Sequence, residues 1–165
     1  MVVAYRLPLI AFVCTDLHDE FTAEDIVSEV FVRLLVKEPK LRDATALKTY
    51  LFSVAKNMSI DYLRKRKREK AWLMECEKTA GGKTGWFIEN ALIQSEEEKE
   101  LFDAVERLPR GYRETLYLHY FEEMSIEEIA KTMGKTKKQI YNLLARAKKL
   151  LSEKLEKGGV WLNEN

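Results

Sequence analysis

Apolar residues along this chain recur at intervals of three and four almost throughout, and the strict alternation of a half-buried strand is brief, so the pattern predicts helices. A first helix is read from about Tyr5 to Thr15. Thr22 and Asp25 then open a second, whose Ile26, Val27, Val30, Phe31, Leu34 and Leu35 make one apolar face and whose end is marked by Pro39. After the loop "EPKLRDATA", a long helix turns Leu47, Tyr50, Leu51, Val54, Met58 and Tyr62 inward and runs into the cluster "RKRKR". From Glu69 to about Gln94 the periodicity weakens, and Gly81, Gly82 and Gly85 interrupt any helix through it. Helical spacing resumes near Ser95, passes a boundary at "LPRGY", and ends after Leu155 at the pair Gly158 and Gly159. The chain is therefore read as all-α, with two small helical lobes at residues 1–68 and 95–157, a linker at 69–94 and a tail at 158–165. Trp72, Trp86 and Phe87 are unusual in a free linker, and the reading is that they pack onto a lobe or a partner.

The segment "SIEEIAKTMGKTKKQIYNLLARAKK" is the best-marked part of the chain. A helix-turn-helix buries an alanine on its first helix, turns through a residue tolerant of positive φ and docks an apolar residue from its second. Ala130, Gly134 and Ile140 stand at those offsets. Ser125 with Glu128, and Thr136 with Gln139, each have capping-box spacing, so both helices carry their own start signal. On the second helix Ile140, Leu143, Leu144, Ala147 and Leu151 share a stripe, leaving a polar face opposite. In the major groove, Asn and Gln pair with adenine, and Lys or Arg with guanine or phosphate. Lys137, Lys138, Gln139, Tyr141, Asn142 and Arg146 fit that work.

Charge sharpens this picture through its distribution. The net charge is only +1, but Arg64 to Lys70 holds six basic residues against one acidic, Glu89 to Glu106 seven acidic against one basic, and Lys131 to Lys157 nine basic against two acidic. Two basic regions flanking an acidic middle suit a protein that touches a polyanion at two places while its linker avoids it. Cys14 and Cys76 lack CxxC spacing, and His18 and His119 are isolated, so neither a disulfide framework nor a zinc site is indicated; both cysteines read as core or near-core thiols. No metal, cofactor or catalytic constellation stands out, and the chain is read as a non-enzyme. No window resembles an apolar membrane span, and "MVVAYRLPLIAFVC" lacks the charge and cleavage site of a signal peptide, which places the protein in the cytoplasm without membrane insertion.

At "TAEDIVSEVFVRLL", "LKTYLFSVAKNMSIDYLRKRKR" and "LPRGYRETLYLHYFEEMSIEEIAKTMGKTKKQIYNLLARAKKLL" the chain resembles an extracytoplasmic-function (ECF) sigma factor of bacterial RNA polymerase, with region two, a variable linker and region four in the family's order. The resemblance implies a subunit that binds core polymerase, through the β′ clamp helices and the β flap, and directs initiation at promoter DNA, with an anti-sigma factor as a further partner. It assigns clamp binding to Asp25, Glu29, Phe31 and Leu34, with Ser28 where Gln is common. It assigns the −10 element to Asp43, Ala44, Thr45, Ala46, Leu47, Tyr50, Lys56, Asn57, Asp61 and Arg64, with Tyr50 where Trp is usual. Strand opening needs a base held between aromatic or apolar walls and cations on the displaced backbone; Tyr50, Phe52 and Asn57 beside Arg64, Arg66 and Arg68 answer to that need. The −35 element falls to the second basic helix, where Tyr141, Asn142 and Leu143 replace a commoner basic-Ser-Arg run and His119 replaces a common Arg, so the docking mode carries over and the usual −35 sequence does not.

Two other functions share the motif. A free-standing helix-turn-helix regulator binds its operator without polymerase, usually as a symmetric dimer. An interaction-only adaptor, such as a degenerate sigma factor, keeps the clamp-binding helix without promoter activity.

Overall fold

The computed structural model describes residues 2–73 and 95–158, and every element among them is helical. A 3-10 turn at Val2–Tyr5 leads into α1 (Arg6–Leu17), α2 (Glu20–Lys37) and α3 (Ala44–Leu73). After the undescribed stretch come α4 (Glu96–Glu106), α5 (Arg110–Leu116) continued by a π-helical turn at Tyr117–Phe121, α6 (Ile126–Met133) and α7 (Lys137–Gly158). The chain divides into two compact units, residues 1–83 and 84–165, in agreement with an all-α, two-lobed architecture. Cys76, Gly81, Gly82, Gly85, Trp86 and Phe87, and the side chain of Trp72, lie outside the described residues. No described helix is long and apolar enough to cross a membrane.

Lobe one is organised by α1. Its sequence "RLPLIAFVCTDL" is apolar on nearly every side, and Leu9 to Leu17 are all buried, so the helix must be enclosed on more than one face. Both α2 and α3 pack on it and on each other. Pro8 falls in the first turn, where its missing N–H removes no intrahelical bond. The buried hydroxyl of Thr15 donates to the Phe12 carbonyl at 2.6 Å, and Cys14 is a buried thiol within this core. The helix ends at His18, whose backbone is left-handed (φ 57°) and whose N–H donates to the Cys14 carbonyl.

α2 begins earlier than Thr22. Asp19 is its N-cap, with Oδ1 accepting from the Phe21 N–H at 3.2 Å and Oδ2 from the Thr22 hydroxyl at 2.5 Å. A carboxylate with two local donors at the positive end of a helix outcompetes a threonine as start signal, and Thr22 serves that cap. Ala23, Ile26, Val27 and Val30 are buried, Phe31 and Leu34 half-buried, and Leu35 is exposed, contrary to its expected place on the core face.

α3 differs from expectation in rotation. Its buried residues are Leu51, Phe52, Ala55 and Ser59, while Leu47, Tyr50, Val54, Met58 and Tyr62 are only half-buried. The chain thus turns toward the core a narrower face containing two small residues, and small residues allow a close approach to neighbouring helices. Phe52, read as a candidate wall of a base pocket, is instead fully buried edge-on to Phe12, with ring centroids 5.3 Å apart. The helix also continues without a break through Arg64 to Arg68 and ends at Leu73.

In lobe two, Ser95 caps α4 by accepting from the Glu98 N–H, and Phe102, Ala104 and Val105 turn into the core. Pro109 separates α4 from α5. The π-helical turn carries a stack of Tyr117 on Phe121 (5.3 Å, 26°), with Phe121 edge-on to Phe102. The chain then leaves the helix through Glu123, whose φ of 53° is left-handed for a residue with a Cβ, just before Met124 is buried and Ser125 caps α6.

Two outcomes test these placements. Phe52→Ala lowers unfolding stability by about 3 to 5 kcal/mol, as a large side chain removed from a close-packed core does, whereas Leu35→Ala stays within about 0.5 kcal/mol; urea titration of both variants checks it, and comparable losses would refute the rotation of α2. Glu123→Gly raises stability by roughly 0.5 to 1 kcal/mol, because glycine adopts positive φ without the penalty an L-residue pays, partly offset by its greater unfolded-state entropy. A thermal shift downward would overturn that account of the turn.

Candidate polymerase and nucleic-acid interfaces

Of the five large hydrophobic side chains exposed among the described residues, four lie on α2: Phe21 (73% exposed), Val32 (50%), Leu35 (73%) and Val36 (75%). Positions 21, 25, 28, 32 and 35 fall on one strip of an α-helix, so these apolar groups share a face with Asp25 and Ser28. Glu29 is exposed at its edge, and Phe31 and Leu34 lie half-buried nearer the core. Exposed apolar groups gathered on one face mark an interaction surface more strongly than the same groups scattered. The structure thus puts Asp25 and Glu29 on the outer face, leaves Phe31 and Leu34 at its inner border, and adds Phe21, Val32, Leu35 and Val36. The signal for Val32, Leu35 and Val36 is in "VFVRLLV", which has more apolar positions than one buried stripe can use.

On α3 the candidates fall into three groups. Asp43 is engaged in folding: its Oδ1 accepts from the Ala46 N–H at 2.9 Å, which caps the helix, while Ala44 and Thr45 are exposed in the first turn beside half-buried Ala46 and Leu47. Tyr50, Asn57, Asp61, Arg64 and Arg68 follow at offsets of 7, 11, 14 and 18 residues, which return to one strip at 3.6 residues per turn, on the side away from Phe52, Ala55 and Ser59. Tyr50 is half-buried and the other four are exposed. Lys56 and Arg66, both half-buried, fall on other sides of the helix, so the structure does not bring them to this strip.

The helix-turn-helix is built from local hydrogen bonds. Ser125 Oγ accepts from the Glu128 N–H at 3.1 Å while Glu128 Oε1 accepts from the Ser125 N–H at 2.8 Å. Thr136 and Gln139 repeat the arrangement at the start of α7, at 3.1 and 2.9 Å. Between them Gly134 takes a left-handed backbone (φ 68°) with nothing within 4 Å of a Cβ added to it, so conformation, not space, demands the glycine. Ala130, Ile140, Leu144, Ala147 and Leu151 are buried, which fixes the rotation of α7. Lys138, Asn142, Arg146 and Lys149 then line its outward face at offsets of 4, 8 and 11. Lys137 and Tyr141, the latter 60% exposed, border that face on one side. Gln139 borders it on the other, with its amide oxygen already occupied by the Thr136 cap.

His119 lies in the π-helical turn. Its Nδ1 is buried without a hydrogen-bond partner, and its ring meets Tyr120 edge-on at 5.1 Å. Burial holds its pKa below the ordinary histidine value, the Lys148 ammonium pushes the same way, and a hydrogen bond with the Met124 backbone opposes them.

Comparison with known proteins converges on both lobes. The family described as Sigma-70 region 2 matches residues 1–69, and that described as Sigma-70, region 4 matches residues 98–151. The chain is 28% identical over 154 residues to the ECF RNA polymerase sigma factor SigM of Bacillus subtilis, covering 93% of this chain and 92% of that protein. It is also 28% identical over 135 residues to the RNA polymerase sigma factor SigV of the same organism, covering 82% and 76%. Among solved structures, the fold is similar to the sigma factor RpoE from Bartonella quintana, determined in complex with the anti-sigma factor NepR, with a TM-score of 0.72, 21% identity and 94% of each chain covered.

Proposed function

The chain belongs to the ECF sigma factors of bacterial RNA polymerase, and on that premise we propose how its surfaces divide the work of binding core enzyme and recognising −35 and −10 promoter elements. Residues 1–68 bind polymerase and open the −10 element, residues 69–94 link the lobes, residues 95–157 read the −35 element, and 158–165 form a tail. The observation that carries this division is the location of the exposed apolar groups: four on α2, the fifth, Tyr141, beside the outward face of α7.

On α2, Asp25, Glu29, Phe31 and Leu34, joined by Val32, Leu35 and Val36, make an acidic and apolar surface for the β′ clamp helices. On α3, Tyr50 and Asn57 take the −10 base contacts, Asp61 borders them, and Arg64 and Arg68 hold the backbone of the opened strand; Asp43 acts by starting the helix. On α7, Asn142 reads a base edge, Lys138 and Arg146 contact base or phosphate, and Lys137 and Tyr141 meet the duplex from the side. No reaction is assigned to the chain. It works in the cytoplasm with polymerase, and an anti-sigma factor is a further partner.

Each lobe offers a modest surface, so the free chain binds duplex DNA weakly and with steep salt dependence. Gel shifts without polymerase check this; tight, specific binding by the chain alone would favour a free-standing regulator. In reconstituted transcription on a randomised promoter library, Asn142→Ala lowers output and relaxes preference at one −35 position, a cost of about 1 to 3 kcal/mol. An unchanged preference profile would remove Asn142 from the readout.

Replacing Arg64, Arg66 and Arg68 together with Gln removes charge while keeping chain length and helix propensity. The expected result is a folded protein with core binding nearly intact and a sharp fall in open complexes, partly restored on a promoter pre-melted at −10. Normal open complexes at physiological salt would reduce the run to a solvated helix end.

A further inference from the structure

Lys137, the first residue of α7, is not free. Its Nζ lies 3.3 Å from Oε2 of Glu127, in the first turn of α6, so an ion pair ties together the two helices of the motif across the Gly134 turn. The pairing answers a local electrostatic conflict. The amino-terminal end of a helix carries partial positive charge, and the first turn of α7 has no acidic side chain. Lys137 and Lys138 therefore sit where the helix disfavours cations. Glu127 has the converse setting: a carboxylate in the first turn of α6 is stabilised by that helix. Neighbouring Glu128 supplies the cap to Ser125, so Glu127 is not needed for it.

We propose that Glu127 is a specificity-determining residue that restrains Lys137: it occupies the ammonium at the edge of the DNA-facing surface, so that duplex phosphate must displace a carboxylate before the lysine can engage. The restraint rests on the reading of α7 as the duplex-contacting helix. Its size follows from exposure. The side chains are 59% and 71% accessible, and an exposed pair of this kind shifts an equilibrium by only a few-fold. A few-fold penalty matters for a chain meeting stray DNA from solution, where affinity is weak. It matters little once the lobe is held at a promoter by polymerase, because a tethered contact forms at high effective concentration. Glu127 thus biases lobe two toward DNA delivered by the enzyme.

The test uses the full chain, a random-sequence DNA duplex at low salt, and four proteins: wild type, Glu127→Gln, Lys137→Gln and the double variant. Glu127→Gln tightens binding about two- to fivefold, and most of that gain disappears in the Lys137→Gln background, where no ammonium remains to release. No gain, a loss, or an equal gain in both backgrounds overturns the proposal, the last because it describes a general charge effect. Arg146→Gln, measured alongside, separates the two readings: if it weakens binding while Glu127→Gln changes nothing, the restraint alone fails; if Arg146→Gln also changes nothing, α7 is not the contact helix and the restraint falls with it.

Discussion

Enclosing α1 is the constraint on which lobe one depends. A helix with Leu9 through Leu17 out of solvent has no face to spare for function, so α2 and α3 must each turn a side toward it. That settles their rotation: Ala23, Ile26, Val27 and Val30 on α2, and Leu51, Phe52, Ala55 and Ser59 on α3, are committed to the core. Whatever remains faces outward, which is why an apolar strip on α2 and a polar and cationic strip on α3 stand exposed. The exposed surfaces are the complement of a packing solution.

Lobe two reaches the same end by local means. Two reciprocal caps set where α6 and α7 begin, one left-handed glycine sets where α6 stops, and a short apolar stripe then fixes how α7 is turned. Burial and the Lys148 ammonium both disfavour a charged His119, so the lysines and Arg146 of α7 supply the positive charge of its outward face.

This contrast explains what could be read in advance. The caps at Ser125 and Thr136 involve partners three residues away, and Gly134 acts on its own backbone, so sequence spacing was sufficient for the helix-turn-helix. The rotation of α3 was not available in that way. Its more hydrophobic stripe runs through Leu47, Tyr50, Leu51, Val54, Met58 and Tyr62, but of these the core takes only Leu51, together with Phe52, Ala55 and Ser59, because close approach between helices rewards small residues and a single well-fitted ring. Leu35 is apolar yet exposed for a related reason: α2 turns only one face to the core, and Ala23, Ile26, Val27 and Val30 already fill it. The start of α2 was misplaced because Asp19 and Thr22 carry competing cap signals, and only the folded loop shows that both oxygens of Asp19 find donors.

The unbroken course of α3 has a mechanical consequence. Tyr50 and Arg68 are joined by eighteen residues of one helix, a separation of about 27 Å at 1.5 Å per residue, with no joint between them. The helix acts as a ruler: a polyanion that meets both ends must span that length and follow that line. Single substitutions along it can change the strength of a grip but not its position. Loss of one residue would swing the far cations through about 100°, so this segment tolerates changes in chemistry far more readily than changes in length.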